Sequence, residues 1–217
     1  ADALLLAHHR DDQAETVLAH LLRGSGARGL GGMRPVSRRD GVTVVRPLLD
    51  ISKQAILTAL GGLPYCEDES NALPCCQRNR LRTEALPLLT RENPRAAAHM
   101  AQSAALLRMD DDYLQSLADA LLREALLDTP PFFCVRKAPL LSAPDAVAVR
   151  ALRTAAERAM ALAGSPEERG LSAEDSLRLL ALLPSEGTLN LPQSLRAVST
   201  AGFVHFVRMA DGEPLIP

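Results

Sequence analysis

The sequence predicts an α/β domain followed by a mainly helical domain, and three observations carry that expectation. Ala3 to Ala7 is a short unbroken apolar run that hands over directly to a helical pattern from Asp12 to about Arg23. This is the sequence form of a strand buried on both faces and followed by its helix. Strand-like and helix-like segments keep alternating as far as Gly61-Gly62, whereas beyond Asn93-Pro94 the chain turns to Ala- and Leu-rich amphipathic stretches at 95–127, 145–163 and 173–183.

Taken in order, the first helix gathers Val17, Leu18, Leu21 and Leu22 on one face, and Gly24 stands where a helix stops in a left-handed conformation. Gly24, Gly26, Gly29, Gly31 and Gly32 then form a glycine-rich connection. Val42 to Val45 reads as a strand after the turn signal Asp40-Gly41, and Ile51 to Leu60 as a helix closed by Gly61-Gly62. In the tail, Val198, Phe203, Val204 and Phe206 flank Ala201-Gly202, which predicts a small terminal hairpin within 187–208.

With 217 residues, the chain has room for one or two domains of about 100 to 150 residues each. It is 47% hydrophobic but only 3% aromatic and has no Trp, so Leu, Val and Ala must supply the core. Against 26 acidic residues stand 24 Lys and Arg, a formal charge of −2, which excludes an overall basic field. Any RNA contact must come from local clusters. Cys66, Cys75, Cys76 and Cys134 make no CxxC pair, so they read as free thiols and no metal ligand set is assigned. No apolar run approaches the ~20 residues of a membrane span, and the expectation is a soluble cytoplasmic protein. The opening residues, Ala1 to Ala7, read as the interior of a domain.

The densest polar cluster, His8-His9-Arg10-Asp11-Asp12-Gln13-Ala14-Glu15-Thr16, sits where the first strand meets its helix. In open α/β sheets ligands bind at that carboxyl edge. By spacing alone, Asp12 and Glu15 fit a helix-capping box equally well, but capping leaves His8, His9 and Asp11 unexplained. Such a cluster suits Mg²⁺, ammonium or phosphate, or the deprotonation of an amine. Next, Arg23-Gly24-Ser25-Gly26-Ala27-Arg28-Gly29-Leu30 combines cations with bare backbone, either to approach a nucleotide or simply to end a helix. Arg78, Arg80 and Arg82 form a third cluster, suited to phosphate contacts or to a solvated basic face.

The order of these clusters resembles the tRNA(Ile)-lysidine synthetase family of the PP-loop ATP pyrophosphatase superfamily. The resemblance rests on His8-His9 through Thr16, on Arg23-Gly24-Ser25-Gly26 through Leu30 with Met33, and on Arg46-Pro47-Leu48-Leu49. Downstream it continues through Asp68-Glu69-Ser70-Asn71 and Arg78-Asn79-Arg80-Leu81-Arg82 to Leu86-Pro87. Two departures stand out: no Ser-Gly-Gly-x-Asp-Ser phosphate loop occurs, and Cys66 takes a place where the family often has an aromatic residue. Asn71 reads as a structural turn residue.

The resemblance implies that residues 1–92 are the remainder of a Rossmann-like, adenine nucleotide alpha hydrolase-like ligase domain whose first strands and phosphate loop are absent. Residues 93–217 would be a helical tRNA-binding domain. The implied reaction activates the wobble cytidine of tRNA(Ile) with ATP and Mg²⁺, and the amine of free L-lysine then displaces AMP. His9, Asp11, Asp12 and Glu15 would be catalytic, with Asp12 and Glu15 binding or deprotonating lysine. Arg23, Gly24, Ser25 and Gly26 would lie beside the nucleotide, while Arg46, Arg78, Arg80 and Arg82 would bind the substrate. Assembly as a homodimer is left open. The alternative is a non-catalytic tRNA-binding remnant or subunit; a metal-dependent hydrolase built on His8, His9, Asp11 and Asp12 fits less well, lacking a further separated ligand cluster.

Overall fold

The computed structural model describes residues 2–39, 41–65, 76–129, 132–162, 170–210 and 213–214. Two compact units divide between Asp111 and Asp112.

In the first unit, strand β1 (Ala3–Leu5) leads into helix α1 (Arg10–Leu22). The short helix α2 (Ala27–Leu30) follows, then strands β2 (Val36–Arg39) and β3 (Val42–Val45) and helix α3 (Lys53–Leu60). The sheet runs β1-β3-β2, with β1 parallel and β2 antiparallel to β3. β-branched Val42, Thr43, Val44 and Val45 suit the central strand, and the tight return from β2 needs the positive φ of +79° that Gly41 adopts. β2 was not anticipated, because Ser37, Arg38 and Arg39 carry none of the apolar alternation that betrays a strand. Nor is β1 buried on both faces. Among the described residues it pairs with β3 alone, and Leu4 and Leu5 are 49% and 68% exposed.

Helix α1 ends as expected, with Gly24 left-handed at φ +70°, and α3 ends on Gly61 at φ +59°. A continuous helical run then passes from α4 (Gln77–Arg80) through a π-helical segment (Leu81–Ala85) into α5 (Leu86–Glu92). Helix α6 (Ala96–Ala125) spans the division between the units.

The second unit carries a full antiparallel sheet beside its helices, more than the expected terminal hairpin. Its strands are β4 (Leu126–Thr129), β5 (Phe132–Arg136), β6 (Gly187–Asn190), β7 (Leu195–Ser199), β8 (Phe203–Ala210) and β9 (Glu213–Pro214). They run β4-β5-β8-β7-β6, with β9 on β8. The hairpin β7–β8 is the middle of this sheet. Helix α6 stops two residues before Leu127, because Leu126 and Leu127 pair with Val135 and Cys134 instead of continuing the apolar stripe. Helices α7 (Lys137–Ser142), α8 (Asp145–Leu162) and α9 (Ala173–Leu182) complete the unit.

Its core packs Ala151, Leu152, Ala155 and Ala156 of α8 with Val135, Ala197, Val204 and Phe206 of the sheet. Small side chains along α8 let the helix lie close to the strands, which is how a core short of aromatics fills its volume. Lys137 is buried here, and its ammonium donates to the carbonyls of Ser185 (2.9 Å) and Thr200 (2.9 Å) and to Ser199 Oγ (3.1 Å). Three oriented acceptors replace the water that a buried cation loses. Lys137→Met removes these three hydrogen bonds, leaving the Ser185 carbonyl with its bond from Ser199 Oγ, and should lower the unfolding free energy by about 2 kcal/mol. A urea titration with an unchanged midpoint would contradict that role.

Candidate functional site

The site is built on the first turns of α1. His9 is the N-cap, and the Asp12 carboxylate reaches back to accept the His9 backbone N–H at 3.0 Å. Asp12 is thus the third helical residue of the cap, not the cap itself, and Glu15 takes no part in it. The helix starts two residues earlier than its apolar periodicity suggests, since its opening turn buries Asp12, Gln13 and Glu15 where apolar residues would be expected.

Those buried carboxylates are matched by two arginines. Arg78 Nε donates to Glu15 Oε2 at 2.8 Å and Arg78 Nη2 to Asp12 Oδ1 at 2.9 Å. Arg82 donates from Nε to Glu15 Oε1 at 2.6 Å, from Nη2 to Glu15 Oε2 at 3.0 Å, and from Nη2 to Asp12 Oδ1 at 3.0 Å. Two charges of each sign therefore close on one another, bidentate at Glu15, where guanidinium and carboxylate geometries match. The hydrogen bond to Glu15 holds Arg82 above its ordinary range, against the opposing effect of burial. Both oxygens of each acid are engaged, so little acceptor capacity remains for an incoming amine. The side chain of Glu15 is 2% exposed, while that of Arg78 remains 48% exposed and presents part of its cation outward.

Helical geometry separates the third arginine from this pair. Positions 78 and 82, four apart, share a face, while 80 lies on the other side; Arg80 makes none of the contacts to Asp12 or Glu15 described above and is exposed. The π-helical segment begins just before Arg82, and such bulges re-aim side chains at functional positions.

Neighbouring residues fasten the rest. Asp11 accepts the Lys53 backbone N–H at 2.8 Å, which fixes the start of α3 to the cluster. His9 lies 3.5 Å from Asp11 Oδ2 and 3.4 Å from Asp12 Oδ2. Its Nδ1 is buried without a hydrogen-bond partner. Arg46 donates from Nε to His8 Nδ1 at 3.3 Å and from Nη1 to the Arg34 carbonyl and Ser37 Oγ, both at 3.0 Å.

Sequence reasoning missed Gln13 and Arg108. Gln13 is fully buried; its Oε1 accepts the Met33 N–H at 2.8 Å and its Nε2 donates to the Met33 carbonyl at 3.2 Å. Arg108, from α6, donates to the carbonyls of Gly31 and Met33. A Cβ on Gly32, already at φ +62°, would come within 2.7 Å of the Gln13 amide. The usable signal was a lone Gln inside an acidic helix start, paired with glycines that allow close approach. By contrast, a Cβ at Gly24 or Gly26 would meet nothing within 4 Å, so these two positions beside Arg23 and Ser25 border open space.

Among the described residues no group of three or more His, Cys, Asp or Glu is arranged to hold a metal ion. With Asp12 and Glu15 committed to arginines, the cluster does not fit a protein-held Mg²⁺. Cys76 is exposed and Cys134 buried, both free; burial pushes the Cys134 thiol up. Cys66, Cys75 and the Asp68-Glu69-Ser70-Asn71 element lie outside the described residues. No helix among the described residues is long and apolar enough to cross a membrane.

Residues 1–89 match the family described as a PP-loop domain, whose Rossmann-like α/β character agrees with the first unit. The chain is 39% identical over 211 residues to a tRNA(Ile)-lysidine synthase of Symbiobacterium thermophilum, which covers 93% of this chain and 43% of that protein. To the enzymes of that name from Geobacter sulfurreducens and Streptomyces coelicolor it is 37% identical (97% of this chain, 45% of the relative) and 39% identical (93% and 56%). The chain thus spans about half the length of the curated relatives it matches.

One pH response follows from the geometry. Burial, with Arg46, Arg78 and His9 nearby, lowers His8 below its ordinary value despite the opposing pull of Asp12. A histidine lowered on folding contributes stability that is fully present above pH about 6.5 and is lost as pH falls through its folded value. His8→Gln should flatten the stability profile below pH about 6.5; an unchanged acid limb in denaturant titrations would contradict the assignment.

Proposed function

We propose that this chain, which belongs to the tRNA(Ile)-lysidine synthase family, works within a protein that joins lysine to the wobble cytidine of tRNA(Ile) at the expense of ATP. The observation that carries the reading is the wiring of the His8–Glu15 cluster to Arg78 and Arg82 at the carboxyl end of β1, where α/β sheets take their ligands. In this reading residues 1–92 are the ligase domain and 93–217 the tRNA-binding domain.

The chemistry needs an electrophile made by transfer of AMP to the cytidine oxygen, a lysine amine held in line with it, and cations beside the departing pyrophosphate. Arg78, held by Asp12 and Glu15 yet half exposed, supplies a fixed cation that does not have to be reoriented during reaction. His9 and Asp11 border the same edge as candidates for the amine. Asp12 and Glu15 act first as positioning residues for the arginines, and contact lysine only where it shares them with those cations. Arg46 keeps Nδ1 of His8 an acceptor, so that ring presents its other nitrogen to substrate. Arg23, Gly24, Ser25 and Gly26 flank the nucleotide, and Arg80 faces tRNA phosphate. Mg²⁺ enters only as the counterion of the nucleotide. Lysine, a homodimeric assembly and a cytoplasmic setting complete the proposal.

The test is lysine incorporation into a tRNA(Ile) transcript with a CAU anticodon by the full-length protein, with AMP release followed in parallel. Asp12→Ala should lower turnover by about 100-fold through misplacement of Arg78 and Arg82. Tight tRNA binding by the wild type with neither AMP nor lysine transfer would instead identify a non-catalytic RNA-binding protein.

A further inference from the structure

We infer that the outward face of the second unit's sheet is a docking surface for an unpaired segment of RNA, an inference that rests on the tRNA reading above. The sheet has two unequal faces. Val135, Ala197, Val204 and Phe206 point into the core, where α6, α7, α8 and α9 all contribute buried residues. The alternate positions, Cys134 and Arg136 of β5, Arg196 and Val198 of β7, and Phe203, His205 and Val207 of β8, lie on the opposite face, where Cys134 is buried and the others are half-buried or exposed.

Charge separates this face from the rest of the chain. Of the three arginines on strands β5 to β8, Arg136 and Arg196 lie on this face with His205, while Arg208 is paired with the core residue Leu195; these strands carry no Asp or Glu, within a sequence where acids outnumber Lys and Arg, 26 to 24. Two rings share this face: Phe203 and His205 stand side by side with ring centroids 5.9 Å apart. Register places Arg136 opposite Phe203, Val198 opposite His205, and Arg196 opposite Val207. The two arginines therefore flank the ring pair on a diagonal of about 16 Å, too long for a single phosphate. Arg196 is held by the Asn190 side chain at 2.9 Å, which steadies its guanidinium on the surface.

A partly exposed sheet face bearing two adjacent rings with cations at its margin matches how single-stranded RNA is bound, with bases on aromatic faces and phosphates on arginine. A protein partner would be better served by a larger apolar centre than one Phe and two Val supply.

Binding of the full chain to an unmodified tRNA(Ile) transcript with a CAU anticodon, followed by fluorescence anisotropy over a salt series, tests the inference. Arg136→Gln with Arg196→Gln should weaken binding and reduce the salt slope by about 2. Phe203→Leu keeps the apolar bulk but loses the ring, and should weaken binding about 5-fold; it carries the test should the double variant misfold. Wild-type affinity and slope in both variants would overturn the surface while leaving the tRNA reading intact. Absence of binding by the wild type would overturn both. Retained RNA affinity with lost self-association would overturn the inference in favour of a protein interface.

Discussion

Two carboxylates on one turn of α1 close on two guanidinium groups from a helix more than sixty residues away, and the arrangement of the first unit follows from that closure. A buried Glu15 without Arg78 and Arg82 would be an isolated charge in a low-dielectric setting, which costs several kcal/mol. The pairing therefore obliges the 77–92 helical run to lie against α1. It also turns the neighbouring Gln13 toward the glycine-rich connection and leaves Asp11 free to take the start of α3. Each side chain of the 11–15 stretch other than Ala14 is thereby assigned to a different segment of backbone or to the arginines. This accounts for a helix start so polar and yet so buried.

The same closure changes what the acidic cluster can do. Spacing alone offers Asp12 and Glu15 as bases for an amine, but guanidinium hydrogen bonds engage both oxygens of Glu15 and Oδ1 of Asp12, while Asp12 Oδ2 accepts the His9 backbone N–H. What this arrangement delivers is a positioned cation at the edge of the sheet, backed by His8 and His9. Electrostatic preorganisation of this kind suits a reaction that creates and expels phosphate charge. The glycine-rich connection is tied from two sides, by Gln13 of α1 and Arg108 of α6, so its backbone is held by partners instead of by its own composition.

Much of the fold was legible because local chemistry dictates it. Gly24 and Gly61 adopt the left-handed conformations their positions suggest, and Val42–Val45 is a strand as its β-branching requires. What stayed hidden depends on partners distant in sequence. Leu126 and Leu127 look like the last turn of α6 until Val135 and Cys134 pair with them, and β2 has no apolar alternation at all. In the site, the positions of the charged residues were visible but not their mutual assignment. The four-residue spacing of Arg78 and Arg82 against the three-residue spacing of Asp12 and Glu15 was present in the sequence, and reading it would have set Arg80 apart from the pair.

A double-mutant cycle on Glu15 and Arg82, with Glu15→Gln and Arg82→Gln, measures this dependence most directly when unfolding free energy is read by urea titration. If the arginine closure organises the unit, the two changes should couple by about 1.5 kcal/mol or more, each single variant costing nearly as much as both together. Additivity to within about 0.5 kcal/mol would contradict the account and leave the cluster as a set of independent pairs.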